Sequence, residues 1–358
     1  MKPAKSYILD IKPYVPGKPI DEVKRELKLK SVIKLASNEN PYPPSPKVVA
    51  AMTKAAREVN RYPDGGCFIL RQALAKHLKI NENQLIFGNG SDEVIVLAVK
   101  AFVKEGDEVI IAKPSFLIYE IASKVVGAKI HQVPLENFRY DLKAMKAKLS
   151  KKTKIVFIGN PDNPSGNFIS LKEAEDFMKA ADKDTLVFFD EAYFEYVHAK
   201  DYPDTLALMK KYPNLMITRT FSKMYGLAGL RVGYGIASAE IIDLLNRLRE
   251  PFNINMIAQA AAVAALADKK YYTKIARDVE VQRQYLYRSF GKLRLNYHTS
   301  HTNFILIQVA NATQTAQALL KKGVIIRDMT GWGLSDYIRV SIGTAQENKR
   351  LIKCLEEI

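Results

Sequence analysis

A lysine amine condenses with an aldehyde, and hydroxyl groups beside a guanidinium hold an anion. Lys223 stands directly after Thr220, Phe221 and Ser222, and Arg231 follows eight residues later. Upstream, Asp190 closes the apolar run TLVFFD and is followed by Glu191, Ala192 and Tyr193. A carboxylate at the end of so apolar a segment must find a partner or be neutralised, because burying it unpaired is costly. Earlier still, QLIFG runs into Gly88, Asn89, Gly90, Ser91 and Asp92 and then into a helical pattern. Glycines ahead of a helix let backbone N–H groups approach an anion, and the helix N-terminus favours negative charge, although Ser91 also reads as a plain N-cap. Pro114, Ser115 and Phe116 end DEVIIAKP and can hold an aromatic ring over such a site, while Asn163 in NPDNPSG offers an amide donor. Singly, each is an ordinary turn or surface charge. As a set they supply what an anionic aldehyde cofactor needs.

These residues all follow β-branched or aromatic runs. QLIFG, DEVIIAKP, AKIHQVPL, TKIVFIGNP, TLVFFDE, NLMITRTFS and RVGYGIA each read as strands, several without polar alternation, as in strands buried on both faces. Helical stretches such as SLKEAEDFMKAAD separate some of them. The pattern predicts an α/β protein with a mostly parallel, doubly wound sheet of seven strands flanked by helices. In such a sheet ligands gather beyond the carboxyl ends of the strands, where the residues above lie. After Arg249, Glu250 and Pro251 a long helical region precedes NFILIQV, GVIIRD and YIRVSIG, which predicts a smaller α+β domain. The expected division is an arm with part of the small domain over residues 1–44, a large domain over 45–250 and a small domain over 251–358. No strand leads into GxGxxG in the dinucleotide arrangement, there is no GxxxxGK[ST], and Gly229 to Gly233 precede a strand, so nucleotide folds are rejected.

Composition narrows the function further. The chain has 358 residues, 47% hydrophobic and 26% charged, as expected of a globular protein with a sizeable core. Its longest apolar stretch is too short to span a bilayer, and the N-terminus lacks the apolar core of a secretory signal, which predicts a cytoplasmic protein with no membrane partner. Two distant cysteines and five histidines without metal-ligand spacing argue against a disulfide framework or a catalytic metal. The net charge of +16 is spread along the chain, so it reads as solvated faces or a funnel for small anions, and no nucleic-acid partner is expected.

The ordered set GNGSDE, PSF, NPDNPSG, FFDEAY and TFSKMYGLAGLRVGY resembles the class I/II aminotransferases, which use pyridoxal 5′-phosphate (PLP) and have PLP fold type I. YVPGK from Tyr14, KLASNENPYPPSP, RYPDGG, GVIIRD and YIRVSIGT are similar to the histidinol-phosphate aminotransferase branch, and the resemblance covers essentially the whole chain. It implies that Lys223 carries PLP as a Schiff base and shuttles a proton, and that Asp190 pairs with the pyridine nitrogen. Tyr193 and Asn163 would bond the phenolic oxygen of the cofactor, and Phe116 would stack on its ring. Gly90, Ser91, Asp92, Thr220, Ser222 and Arg231 would hold the phosphate. Tyr62 of the YPD motif would reach the phosphate held by a neighbouring subunit, implying a homodimer with shared sites. Arg339, Arg327, Tyr14 and Asn163 would bind substrate. Asp162 and Ser165 stand where Asn and Thr are common in the family, and Phe116 where Tyr is common; none of these removes a required group.

The resemblance implies reversible transamination between L-histidinol phosphate plus 2-oxoglutarate and imidazole-acetol phosphate plus L-glutamate, a step of histidine biosynthesis. Three alternatives remain open at this level. An aromatic amino-acid aminotransferase needs only an apolar wall and Arg339, and a threonine-phosphate decarboxylase also binds an amine phosphate. A DNA-binding regulator built on this fold would carry an added domain, for which no length remains.

Overall fold

The computed structural model describes residues 5–11, 13 and 17–358. Among them are eleven strands: β1 (Ile33–Leu35), β2 (Leu85–Gly88), β3 (Glu108–Lys113), β4 (Lys129–Pro134), β5 (Thr153–Gly159), β6 (Leu186–Asp190), β7 (Leu215–Thr220), β8 (Gly233–Ile236), β9 (Phe304–Gln308), β10 (Val324–Asp328) and β11 (Tyr337–Ser341). Seven form one sheet in the order β2-β8-β7-β6-β5-β3-β4, with the seven strands read from the sequence as its members. All its pairings are parallel except those of β8, which runs antiparallel to both β2 and β7.

The unbroken apolar runs have a simple cause. Every residue of β6 and β7 is buried, so both faces of the sheet are covered. Side chains still alternate. Val156, Ile158, Val187, Phe189 and Ile217 enter a core on one face, where Phe177 and Leu208 pack. Ile155, Phe157, Phe188 and Met216 enter the other, under Val94, Ile95 and Tyr119 of the helices Ser91–Phe102 and Leu117–Val125. Each fully buried Phe contributes about 1.5–3 kcal/mol of transfer free energy. Anchored on both faces, the carboxyl ends of these strands are fixed points from which the next residues project.

A second sheet has the order β1-β10-β11-β9. β1 pairs in parallel with β10, and the segment after it reaches the residues beyond β7, where Lys223 donates to the Ser37 carbonyl and Asn40 to the Met224 carbonyl. The helical region before β9 is two helices, Met256–Ala267 and Lys269–Lys292, where the sequence pattern reads as one. Asp268 leaves helical geometry between them at φ −98° and ψ 52°, and its carboxylate then lies at the N-terminus of the second helix, where negative charge is favoured. The first of these helices packs back on helices Pro46–Ala55 and Phe68–Leu78. Among the described residues no helix is long and apolar enough to cross a membrane.

Candidate active site

Beyond the carboxyl ends of β5, β6 and β7 lies a cavity of about 330 Å³. Its wall includes Lys223, Asp190, Tyr193, Asn163, Phe116, Ser91, Asp92, Thr220, Ser222, Arg231 and Arg339. A shallower depression of about 530 Å³ lies beside it, lined by residues such as Lys34, Glu39 and Gly226, and it contains none of this set.

Asp190 is the last residue of β6 and is 5% exposed. Its Oδ2 accepts from the Tyr119 hydroxyl at 2.8 Å and its Oδ1 from the Ala192 N–H at 3.1 Å. Burial pushes its carboxyl up to about 6, against these two donors and the charge of Lys223, all of which favour the anion. Near neutrality it is therefore an anion held in a dry place, suited to a cationic ring N–H. Lys223 shows the converse. Burial lowers its amine to about 8, helped by Arg339 and Arg231 and opposed by Asp92 and Glu39. Its Nζ donates to the Ser37 carbonyl at 3.3 Å and lies 5.7 Å from the centre of the Tyr193 ring. An amine this easily deprotonated is a ready nucleophile for an aldehyde.

The anion corner is built around Gly90. It precedes the helix Ser91–Phe102 at φ +84°, and a β-carbon there would overlap the Arg231 guanidinium. The first N–H groups of a helix have no acceptor within it, so they face this corner with the positive end of the helix dipole. Arg231, itself at φ +56°, approaches Ser222 Oγ and Asp92 Oδ2, each at 3.4 Å. A glycine cradle, helix N–H groups, a hydroxyl and a guanidinium make a donor set that fits a phosphate. With Asp190 and Lys223 it fits PLP.

Tyr193 and Asn163 are tied to the second sheet. The Asn38 amide donates to the Tyr193 hydroxyl at 3.0 Å, and Asn38 Oδ1 accepts from Ser341 Oγ at the end of β11 at 3.2 Å. Arg339 donates through Nη1 to Asn163 Oδ1 and through Nη2 to the Ala36 carbonyl at 3.2 Å. The Asn163 carbonyl is thus engaged, which leaves its NH₂ as the donor for a ligand. Asp162, beside it, is buried, pushed up to about 6 by burial, and held by the Ser165 N–H at 3.1 Å and the Tyr140 hydroxyl at 3.2 Å.

Arg327 and Tyr62, both named from the sequence, lie off this wall. The Arg327 guanidinium carbon lies 5.4 Å from the centre of the Trp332 ring, which is on that wall. Tyr62 is 81% exposed and stacks on Phe252 with ring centres 4.7 Å apart, away from this chain's own cavity. Tyr14 lies outside the described residues.

Other residues escape the sequence reading. Nothing in the sequence singles out Tyr119, yet its ring stacks on Phe157 at 4.7 Å and aims its hydroxyl at Asp190. Glu191 and Arg219 form a buried ion pair between β6 and β7 at 2.7 Å, with Thr205 and Tyr202 also donating to the carboxylate. Trp332, in the connection from β10 to β11, completes the cavity wall. Only its rarity, one tryptophan in the chain, marks it in the sequence.

The family model for aminotransferase class I and II matches residues 30–355. A histidinol-phosphate aminotransferase of Moorella thermoacetica is 47% identical over 354 residues, covering 98% of this chain and 92% of that protein. One from Caldicellulosiruptor saccharolyticus is 42% identical over 352 residues, covering 98% of each. The crystal structure of histidinol-phosphate aminotransferase from Sinorhizobium meliloti in complex with pyridoxal-5′-phosphate superposes with a TM-score of 0.91 at 28% identity, covering 100% of this chain and 97% of that one. Aspartate aminotransferase of Thermus thermophilus, at 20% identity and a TM-score of 0.84, shares the fold, PLP fold type I. Similarity that runs nearly end to end, over a cavity where lysine, aspartate and arginine converge, makes this chain a member of the class I and II aminotransferase family.

Proposed function

We propose that the protein binds PLP at Lys223 and transfers the amino group of L-histidinol phosphate to 2-oxoglutarate. The observation that carries the substrate class is the register of β10 on β11, which sets Arg327 directly opposite Arg339, both buried. Two guanidinium groups at facing strand positions suit a phosphate monoester in one half-reaction and the carboxylates of glutamate in the other. The names of the relatives at 47% and 42% identity support histidinol phosphate as that monoester.

When bound, PLP supplies an electron sink for the pair left by the substrate's Cα–H bond. The protein does the rest. Asp190 holds the ring N–H, and the corner at Gly90, Ser91, Asp92, Thr220, Ser222 and Arg231 holds the phosphate. Tyr193 and the Asn163 amide would bond the ring oxygen, and Phe116 would pack against the ring. The Lys223 amine would accept the proton from the substrate α-carbon.

A homodimer accounts for the exposed Tyr62. Around it Val59, Phe68, Ile69 and Phe252 are also exposed, an apolar group suited to a second copy of the chain. In that assembly Tyr62 reaches the phosphate held by the partner subunit. The two sheets support a large domain over residues 45–250 and a small one over 251–358 joined by 1–44.

A substrate panel tests the reading. Purified, PLP-saturated protein is given histidinol phosphate, phenylalanine or threonine phosphate with 2-oxoglutarate, and glutamate and carbon dioxide are measured. Glutamate formation fastest with histidinol phosphate is expected. Phenylalanine turned over far faster, or decarboxylation of threonine phosphate, overturns it.

A further inference from the structure

We infer that Trp332 is a positioning residue that fastens Arg327 to the loop carrying Phe116, so that the anion-binding end of the cavity holds its shape across the two sheets. The inference rests on the reading that Arg327 and Arg339 receive the anionic end of the substrate.

The connection from β10 to β11 is braced for this task. Asp328 accepts from Thr313 Oγ1 at 2.7 Å and from the Thr330 N–H at 2.8 Å. The Trp332 N–H bonds the Met329 carbonyl at 2.8 Å, and Gly333, at φ +80°, ends the turn. The indole is therefore presented by a fixed turn. Its Nε1–H donates to the Ser115 carbonyl at 3.1 Å, from the four-stranded sheet to the loop that leaves β3. One face of the ring meets the Arg327 guanidinium at 5.4 Å, and the ring lines the cavity with Phe116 and Arg339.

Each contact has a separate physical effect. The ring's negative face attracts the Arg327 cation and holds it in place although Arg339 lies opposite. The indole N–H fixes the ring relative to Ser115, and so relative to Phe116 next in the chain. Removing the indole takes away one of the contacts that hold Arg327 in the position an anion needs. That loss falls on binding, because on the proposed reading the arginines serve the unreacting end of the substrate and not the bond being broken.

Two variants and one optical signal test it. Trp332→Phe keeps a ring face for Arg327 but removes the N–H; Trp332→Ala removes both. The expected KM for histidinol phosphate rises about 2–10-fold in Trp332→Phe. In Trp332→Ala it rises about 10–100-fold, since the cation–π contact is lost as well. In both, kcat stays within about twofold, as for a loss of uniform binding. Because the chain has one tryptophan, its emission reports this ring alone. In PLP-saturated wild type, whose cofactor-phosphate corner is filled, inorganic phosphate should change that emission saturably, and Arg327→Ala should remove the change. A KM unchanged in Trp332→Ala, a loss confined to kcat, or emission indifferent to phosphate overturns the inference. If wild type does not turn over histidinol phosphate, the substrate reading fails and calorimetric phosphate affinity decides this one. Weakening in the order Phe then Ala supports it, and equal affinity in all three proteins overturns it.

Discussion

The Tyr119 hydroxyl meets Oδ2 of Asp190 at 2.8 Å while its ring lies parallel to that of Phe157, 4.7 Å away. The stacked ring fixes the hydroxyl, and the hydroxyl holds the carboxylate that would face the cofactor's ring nitrogen. Burial alone drives Asp190 toward its neutral form; Tyr119 is the leading influence keeping it ionised.

Tyr119→Phe keeps the stacked ring and removes only the donor. Without it the Asp190 carboxyl rises further above its ordinary range, so the anion is lost at a higher pH as acid is added. A hydrogen bond to a charged group is worth about 1.5–3 kcal/mol, so PLP affinity should fall about 10–100-fold near pH 6 and less at pH 8. Titration of cofactor-free protein with PLP at both pH values checks this; an unchanged affinity at pH 6 would contradict it.

The depressed amine of Lys223 predicts a pH profile. A neutral amine is the reactive form, and here it accumulates as pH rises through about 8 rather than through the ordinary lysine value. The rate at which PLP attaches to cofactor-free protein should climb with a midpoint near that value. Arg339→Ala removes a neighbouring positive charge and should move the midpoint upward. Rapid-mixing absorbance measurements from pH 6 to 10 decide, and a midpoint beyond 10 in wild type would rule the depression out.

Glu191 tests the foundation of the site. It lies fully buried against Arg219, the residue before Thr220. Glu191→Ala leaves Arg219 buried without its carboxylate, a change that costs about 3–5 kcal/mol. Denaturant unfolding of the variant against wild type measures it. A loss below about 1 kcal/mol, the range of exposed pairs, would show that water reaches the pair.

Mixed dimers test the role of Tyr62. In a dimer of one Lys223→Ala subunit and one Tyr62→Ala subunit, the proposed sharing would give the second subunit's lysine its tyrosine from the first and leave one site intact. Co-expressed subunits should show activity above the sum of the two parents. Additive activity would place Tyr62 outside the partner's site.

Much of the site is local in sequence, and that part could be read without coordinates. Asp190, Lys223 and the Gly90 turn each follow an apolar run long enough to be a buried strand, and a parallel sheet gathers such strand ends on one edge. The glycine needed before the helix, the carboxylate after VFF and the lysine after TFS depend on their own neighbours.

Tertiary structure decided what depends on two distant segments meeting. Strand order places the helix bearing Tyr119 over β5 and β6, so that its hydroxyl reaches Asp190; helical spacing gives only a buried position. The register of β10 on β11 sets Arg327 opposite Arg339, and a shift of one residue would turn one of them to the other face. The turn after β10 brings Trp332 to a carbonyl 217 residues away. Periodicity and spacing report which face a residue buries. Only the packed sheets decide which partner waits there, because pairing between distant strands and helices is set by the whole core.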